Sequence, residues 1–253
     1  MSEILLVVLA GAAAGALNAI GGGGTFVALP VLVALGLSPV TANALSRVAL
    51  VPGALAGVWV YRRELAPVGA ASTKSLTAVS VIGGGVGGSL LLALPASSFD
   101  AAAPWLLAFA TVILAFGPRL SRTLNATLGR SVGMNSRAVL ISQFVLAVYG
   151  GYFGGAVGIM MLALWSIGLG LDTTVSNPMR IAQLAAIYLS ATVLFLVASD
   201  TLSEPLVLTG MLVGAVAGGF AGAHLARRLP ARLLRSVILT TAVLMTALYF
   251  LRG

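Results

Sequence analysis

Cysteine is absent from the chain and histidine occurs once. Disulfides, thiolate metal sites and a cysteine nucleophile are thereby excluded. Acids are almost as scarce, with six Asp and Glu against fourteen Lys and Arg and a net charge of +8. With so few ligands, no metal centre and no bound cofactor are expected. Charged residues make up 8% of the chain and hydrophobic ones 59%, whereas a water-soluble domain keeps about a quarter of its residues charged. Most of the surface must therefore face a lipid bilayer. A basic surplus can serve nucleic acid, but here the cations stand in short clusters between apolar runs, not along one soluble face, and no nucleic-acid partner is expected. The apolar stretch from Ile4 has the hydropathy of a secretion signal. It starts with Glu3 instead of a basic cluster and has a counterpart deep in the chain, so it reads as part of the protein.

What is present is long apolar runs. A run of about 17 to 25 residues crosses a hydrocarbon core near 30 Å thick. Six regions qualify, at 40–60, 75–94, 103–118, 176–198, 205–226 and 234–251. Two further blocks, 4–36 and 138–170, are too long for one crossing and are interrupted by glycine. Each is predicted to be two helices joined at a break, the second members, 25–36 and 159–170, being re-entrant half-helices.

Shifting the sequence against itself by 134 positions, without a gap, brings Gly21 onto Gly155, Gly24 onto Gly158, Leu35-Gly36-Leu37 onto Leu169-Gly170-Leu171 and Asn43 onto Asn177. Gly84, Gly85 and Gly88 then meet Gly218, Gly219 and Gly222. Two repeats are expected, 1–119 and 135–253, joined by a polar cytoplasmic linker at 120–134. Basic residues gather at Arg62, Arg63 and Lys74, at Arg119, Arg122, Arg130 and Arg137, and at Arg227, Arg228, Arg232 and Arg235, which places those loops in the cytoplasm. The opposite loops carry Asp100, Asp200 and Glu204. If each interrupted block enters and leaves on one side, every repeat crosses an odd number of times. The fold class expected is therefore an all-α polytopic membrane bundle of two inverted-topology repeats, with both termini outside.

Residues 83–88 read GGGVGG and formally satisfy the dinucleotide pattern GxGxxG. That pattern needs a preceding strand and a soluble βαβ unit, so these glycines read as helix-packing positions, like Gly210, Gly214, Gly218 and Gly222. The same faces permit a homodimer. The run Gly21, Gly22, Gly23 and Gly24 is different, because four glycines unwind a helix and leave backbone groups that lipid cannot satisfy. Interrupted helices at matching places in two inverted halves point to a transporter's binding site.

After each predicted hairpin the next helix opens with polar residues, TANALSR at 41–47 and VSNPMRIAQ at 175–183. Arg47 and Arg180 are cations expected at membrane depth, where each costs on the order of 2.5–3.5 kcal/mol to insert. With Asn43, Asn177, the glycines of the first break and Gly158 they form a candidate site for a small anion, since guanidinium forks and free helix N–H groups both match oxyanions. Asn18, Ser46, Gln143, Gln183 and Tyr188 are further candidates for its lining. In the competing reading both arginines snorkel to the interface from shallow positions. Asp172 is the one acid in sequence range of Arg180, and Ser38 stands at the aligned position. His224, beside Arg227, reads as an interfacial residue.

The stretch GALNAIGGGGTFVALPVLVALGLSPVTANALSRVALVPGALAGVWVYRR resembles the first-half motif of the sulfite exporter TauE/SafE family, and GYFGGAVGIMMLALWSIGLGLDTTVSNPMRIAQ resembles its second-half repeat. The family usually repeats the glycine cluster and a proline in the second half. Here Gly158-Ile159-Met160-Met161 and Leu164 stand instead, so a milder second break is expected. The resemblance implies a secondary transporter of the bacterial inner membrane that exports sulfur-containing anions such as sulfite, sulfonates or sulfoacetate. A passive anion channel and a carrier of a non-sulfur organic anion are the alternatives. An intramembrane serine hydrolase would need a serine and an acid around His224 at membrane depth, and an enzyme is not expected.

Overall fold

The computed structural model describes residues 2–128, 133–199 and 202–226, with 236, 239–240, 243–244 and 246–247 beyond them. The expected span 234–251 therefore lies largely outside the described residues, as do Arg130, Asp200, Arg227, Arg228, Arg232 and Arg235. Among the described residues there are nine helices: α1 (Ser2–Gly21), α2 (Thr25–Ala34), α3 (Pro39–Tyr61), α4 (Thr73–Ala93), α5 (Ala96–Leu128), α6 (Ser136–Tyr152), α7 (Val157–Leu169), α8 (Thr173–Ala198) and α9 (Pro205–Ala226). Five of them, α3, α4, α5, α8 and α9, contain stretches long and apolar enough to cross a membrane. The expected linker is helical up to Leu128, as the continuation of α5.

Helix starts are set by side-chain caps. Ser38, Ser72 and Asn135 each accept a backbone N–H three residues on, at 3.1, 3.1 and 2.8 Å, and Asp172 accepts from Thr174 at 2.7 Å and Val175 at 3.3 Å. These bonds satisfy N–H groups that have no partner within the helix. Asp172 is exposed at this post while Arg180 is buried, so the carboxylate in sequence range of Arg180 serves as a cap.

Both interrupted blocks break where glycine allows it. Gly22 takes φ +76° between α1 and α2, and Gly154 takes φ +78° between α6 and α7. The second break is not milder than the first. It falls at 153–156, ahead of Gly158, and includes Ala156 at φ +58°, which an L side chain adopts only at a cost. Gly158 is instead the second residue of α7. The ends of the second hairpin are tied together, since the Gly168 carbonyl accepts from Gly133 at 3.1 Å and Met134 at 3.0 Å. The ends of the first border a shared hollow. Glu3, Ile4 and Val7 of α1 line one hollow of about 760 Å³ with Leu35, Gly36, Leu37 and Ser38.

Close approach of helices follows the glycines. In α9, Gly214, Gly218 and Gly222 press on the backbone of Val8, Ala12 and Ala16, while Gly11 and Gly15 of α1 meet Met211 and Ala215. In α4, Gly83 and Gly87 meet Ala147 and Val148 of α6, and Gly84 and Gly88 meet Ile187 and Ala191 of α8. The glycine faces are thus used within the chain, with Gly85 alone of this α4 set having open space around it. α3 and α8 run antiparallel, Arg47 early in α3 lying over Tyr188 midway along α8 and Gly57 late in α3 meeting Ile181 early in α8.

Candidate functional site

The two breaks meet. A Cβ added to Gly22 would fall 3.7 Å from the Cα of Gly158 and 3.4 Å from Nη1 of Arg180, and one added to Gly158 would fall 2.8 Å from that same Nη1. Bare backbone at both positions leaves room for the guanidinium. Arg180 is 1% exposed and Arg47 fully buried, so neither snorkels to an interface.

The arginines are engaged differently. Arg47 donates through Nη1 to the Gly150 carbonyl at the end of α6, lies 5.0 Å from the centre of the Tyr188 ring, and packs against Gly154. A cation beside the last carbonyls of a helix is favoured by the helix dipole. One turn earlier on α3, Asn43 donates to the Tyr152 carbonyl at 2.8 Å, so α3 grips the broken end of α6 at two points. Arg180 makes one bond, from Nε to Oδ1 of Asn177 at 2.9 Å. Its Nη1 and Nη2 are buried without a partner, as are Nε and Nη2 of Arg47, and among the described residues no carboxylate faces either arginine. The N–H groups of Gly155, Ala156, Val157 and Gly158, which open α7 beside Arg180, likewise lack an acceptor among the described residues. The result is a buried concentration of donors and positive charge that lacks an acceptor.

The remaining expected residues fall into place around this. Gly21 ends α1, and Gly23 is buried in the break. Gly24 packs against Ala14, Asn18 and Leu50, serving the contact of α2 with α1 and α3. Asn18 is buried with Oδ1 unpartnered. Ser46 returns its hydroxyl to the Asn43 carbonyl at 2.8 Å and is a helix-internal bond, not a lining group. Gln183, one turn beyond Arg180, donates to Thr77 at 3.1 Å. His224 is exposed and bonded to the Phe220 carbonyl at 2.9 Å. Sequence reasoning missed Gly150 and Gly154, the positions that seat Arg47, and it ranked Tyr188 below the arginine it carries. The hydroxyl of Tyr188 reaches the Gly154 carbonyl at 3.5 Å.

A protein-family model described as sulfite exporter TauE/SafE matches residues 7–249. No curated protein and no solved structure matches the chain.

Proposed function

Since the chain belongs to the sulfite exporter TauE/SafE family, a family of multi-pass membrane transporters, we propose that it exports a small sulfur oxyanion, sulfite first, across a bacterial inner membrane and takes that anion at Arg180. The supporting observation is the pair of unpartnered Nη atoms of Arg180 beside the free N–H groups that open α7. Leaving one partner of a buried charge pair unmatched costs about 3–5 kcal/mol, and an oxyanion that accepts from the guanidinium fork and the helix N-terminus removes that cost. Arg47 is the positioning residue. It holds the end of α6, and with it the break from which α7 starts.

Alternating access fits the same geometry. α3 and α8 are antiparallel and each follows a hairpin, so the hairpins open at opposite ends of the bundle with their tips meeting at Gly22 and Gly158. That arrangement supports the reading of two inverted repeats, in which either hairpin can part from the other to admit one side. Both arginine side chains are closed off from solvent. An anion reaches them only when the protein opens, which favours a carrier over a standing pore.

The test is sulfite binding by the purified full-length protein, followed by thermal unfolding in detergent. At about a hundred times Kd, a ligand specific to the native state adds about 2.7 kcal/mol. Wild type is expected to be stabilised and Arg180→Gln is not. Equal stabilisation of both overturns the assignment of Arg180. Counterflow of sulfite in loaded proteoliposomes is expected of a carrier, and its absence alongside fast flux would make the protein a channel.

A further inference from the structure

A second polar cluster lies between the α6–α7 hairpin and the helices α4 and α8. Gln143 of α6 is fully buried and donates through Nε2 to the hydroxyl of Ser80 at 2.8 Å. Gln183 of α8 is also fully buried and donates to the hydroxyl of Thr77 at 3.1 Å. Thr77 and Ser80 are three residues apart on α4 and so share one face. The thioethers of Met161 and Met179 complete the surroundings of the two carboxamides. Each glutamine keeps its Oε1 buried without a partner. Two half-satisfied buried carboxamides cost about 1–3 kcal/mol each, and packing alone gives no reason to keep them.

The matching seam on the other side of the molecule shows no such polar pair among the described residues. There α1 meets α9 through Val8, Gly11, Ala12, Met211, Gly214 and Gly218, with backbone against backbone. The α4–α6 seam has backbone contacts of the same kind, Gly83 and Gly87 against Ala147 and Val148, and carries the Gln143–Ser80 bond in addition. A carboxamide offers an oxygen at one end and two N–H donors at the other, and a half-turn exchanges them. With the oxygen turned to the Ser80 or Thr77 hydroxyl, which then donates, the free end presents N–H groups.

We propose that Gln143 and Gln183, with the hydroxyls of Ser80 and Thr77, form a second, uncharged subsite for an oxyanion, where the anion is held by hydrogen bonds alone when the α6–α7 hairpin separates from α4. The proposal rests on the reading of Arg180 as the principal site. Gln183 lies one turn from Arg180 on the same helix, so an anion leaving the guanidinium meets this carboxamide next, and the anion's own charge favours the donor-outward rotamer. A neutral stage beside a charged one lets the anion leave Arg180 in two smaller steps.

The experiment uses the full-length protein and sulfite as the probe, with equilibrium binding and proteoliposome flux measured for wild type, Arg180→Gln and Gln143→Met. Methionine matches glutamine closely in volume and sits well beside Met161; Gln143→Asn, which keeps the carboxamide, serves as a second variant if Gln143→Met fails to fold. Sulfite flux through Gln143→Met is expected to fall about tenfold, as the loss of one to two hydrogen bonds would produce, while sulfite binding stays within about threefold of wild type; Gln143→Asn is expected to recover part of the flux. Unchanged flux in both Gln143 variants overturns the subsite, as does a joint loss of binding and flux, which would merge it with the Arg180 site. Flux that depends on sodium in wild type and loses that dependence in Gln143→Met also overturns it, by making the cluster a cation site. If Arg180→Gln binds sulfite normally, it is the principal site that fails, whatever the Gln143 variants do.

Discussion

The guanidinium of Arg47 lies 5.0 Å from the centre of the Tyr188 ring, and the two residues come from opposite halves of the chain. Together with the bond from Arg47 to the Gly150 carbonyl, the contact makes this arginine a structural clamp. Arg180 has no comparable hold. Both of its terminal nitrogens are unpartnered, whereas Arg47 leaves Nε and one terminal nitrogen, Nη2, without a partner.

The two arginines should therefore separate stability from binding. Arg47→Gln loses a charged hydrogen bond and a cation–π contact, and a loss of about 1.5–3 kcal/mol is expected. Arg180→Gln removes an uncompensated buried charge, and its stability without ligand is expected to equal or exceed wild type. Thermal unfolding of both variants without sulfite checks the pair; a larger loss in Arg180→Gln than in Arg47→Gln contradicts it.

The glycines make a graded series. Gly218→Ala puts a methyl group into the backbone of Ala12 and is expected to cost about 1–3 kcal/mol by overpacking. Gly85→Ala meets open space and is expected to be neutral or to gain up to about 1 kcal/mol, as alanine does over glycine in a helix. Expression and unfolding temperature in detergent report on both.

At the tips, Gly22→Ala forces an alanine to φ +76°, at a cost of about 1–2 kcal/mol. Gly158→Ala has no such backbone strain but places its methyl 2.8 Å from Nη1 of Arg180. It should displace the guanidinium and weaken sulfite affinity about tenfold, equivalent to about 1.4 kcal/mol. A titration that finds wild-type affinity in Gly158→Ala would separate this tip from the site.

Asp172 gives a pH signature. The backbone N–H groups of Thr174 and Val175 hold its carboxyl below the usual carboxylate range. A depressed folded value means that the cap stabilises above the ordinary carboxylate pKa of about 3.9 and loses that contribution as pH falls through the folded value. Wild type should lose stability relative to Asp172→Asn over that acid window, because asparagine caps without titrating. Parallel unfolding curves at every pH would remove the carboxylate from this role.

Much of this was legible in the residues. Runs of apolar residues located α3, α4, α8 and α9 to within a few positions, and the glycines at 21–24 located the first break. Arg47 and Arg180 stood out as cations expected at membrane depth, and both are buried. The second break was misplaced for a definite reason. Gly22 and Gly154 share the left-handed conformation but stand 132 positions apart, whereas a gapless shift of 134 pairs Gly154 with Ile20. The stretch from Gly154 to Gly170 is two residues longer than that from Gly22 to Gly36, which brings Gly36 and Gly170 back to the 134 spacing. A rigid offset cannot register a local change in length. The partners of Arg47 and Asn43 were out of reach for another reason: the backbone carbonyls of Gly150 and Tyr152 are acceptors that no side-chain pattern advertises. Asp172 was readable as a helix cap from the threonines that follow it, and its charge drew attention from that simpler post.

The carbonyl of Gly168, shared by the N–H groups of Gly133 and Met134, fastens the second hairpin at its foot. Two legs joined there cannot scissor apart, so the loop tilts as one lever. A slight rotation at the foot becomes a wider sweep at the apex, where Gly158 faces Arg180.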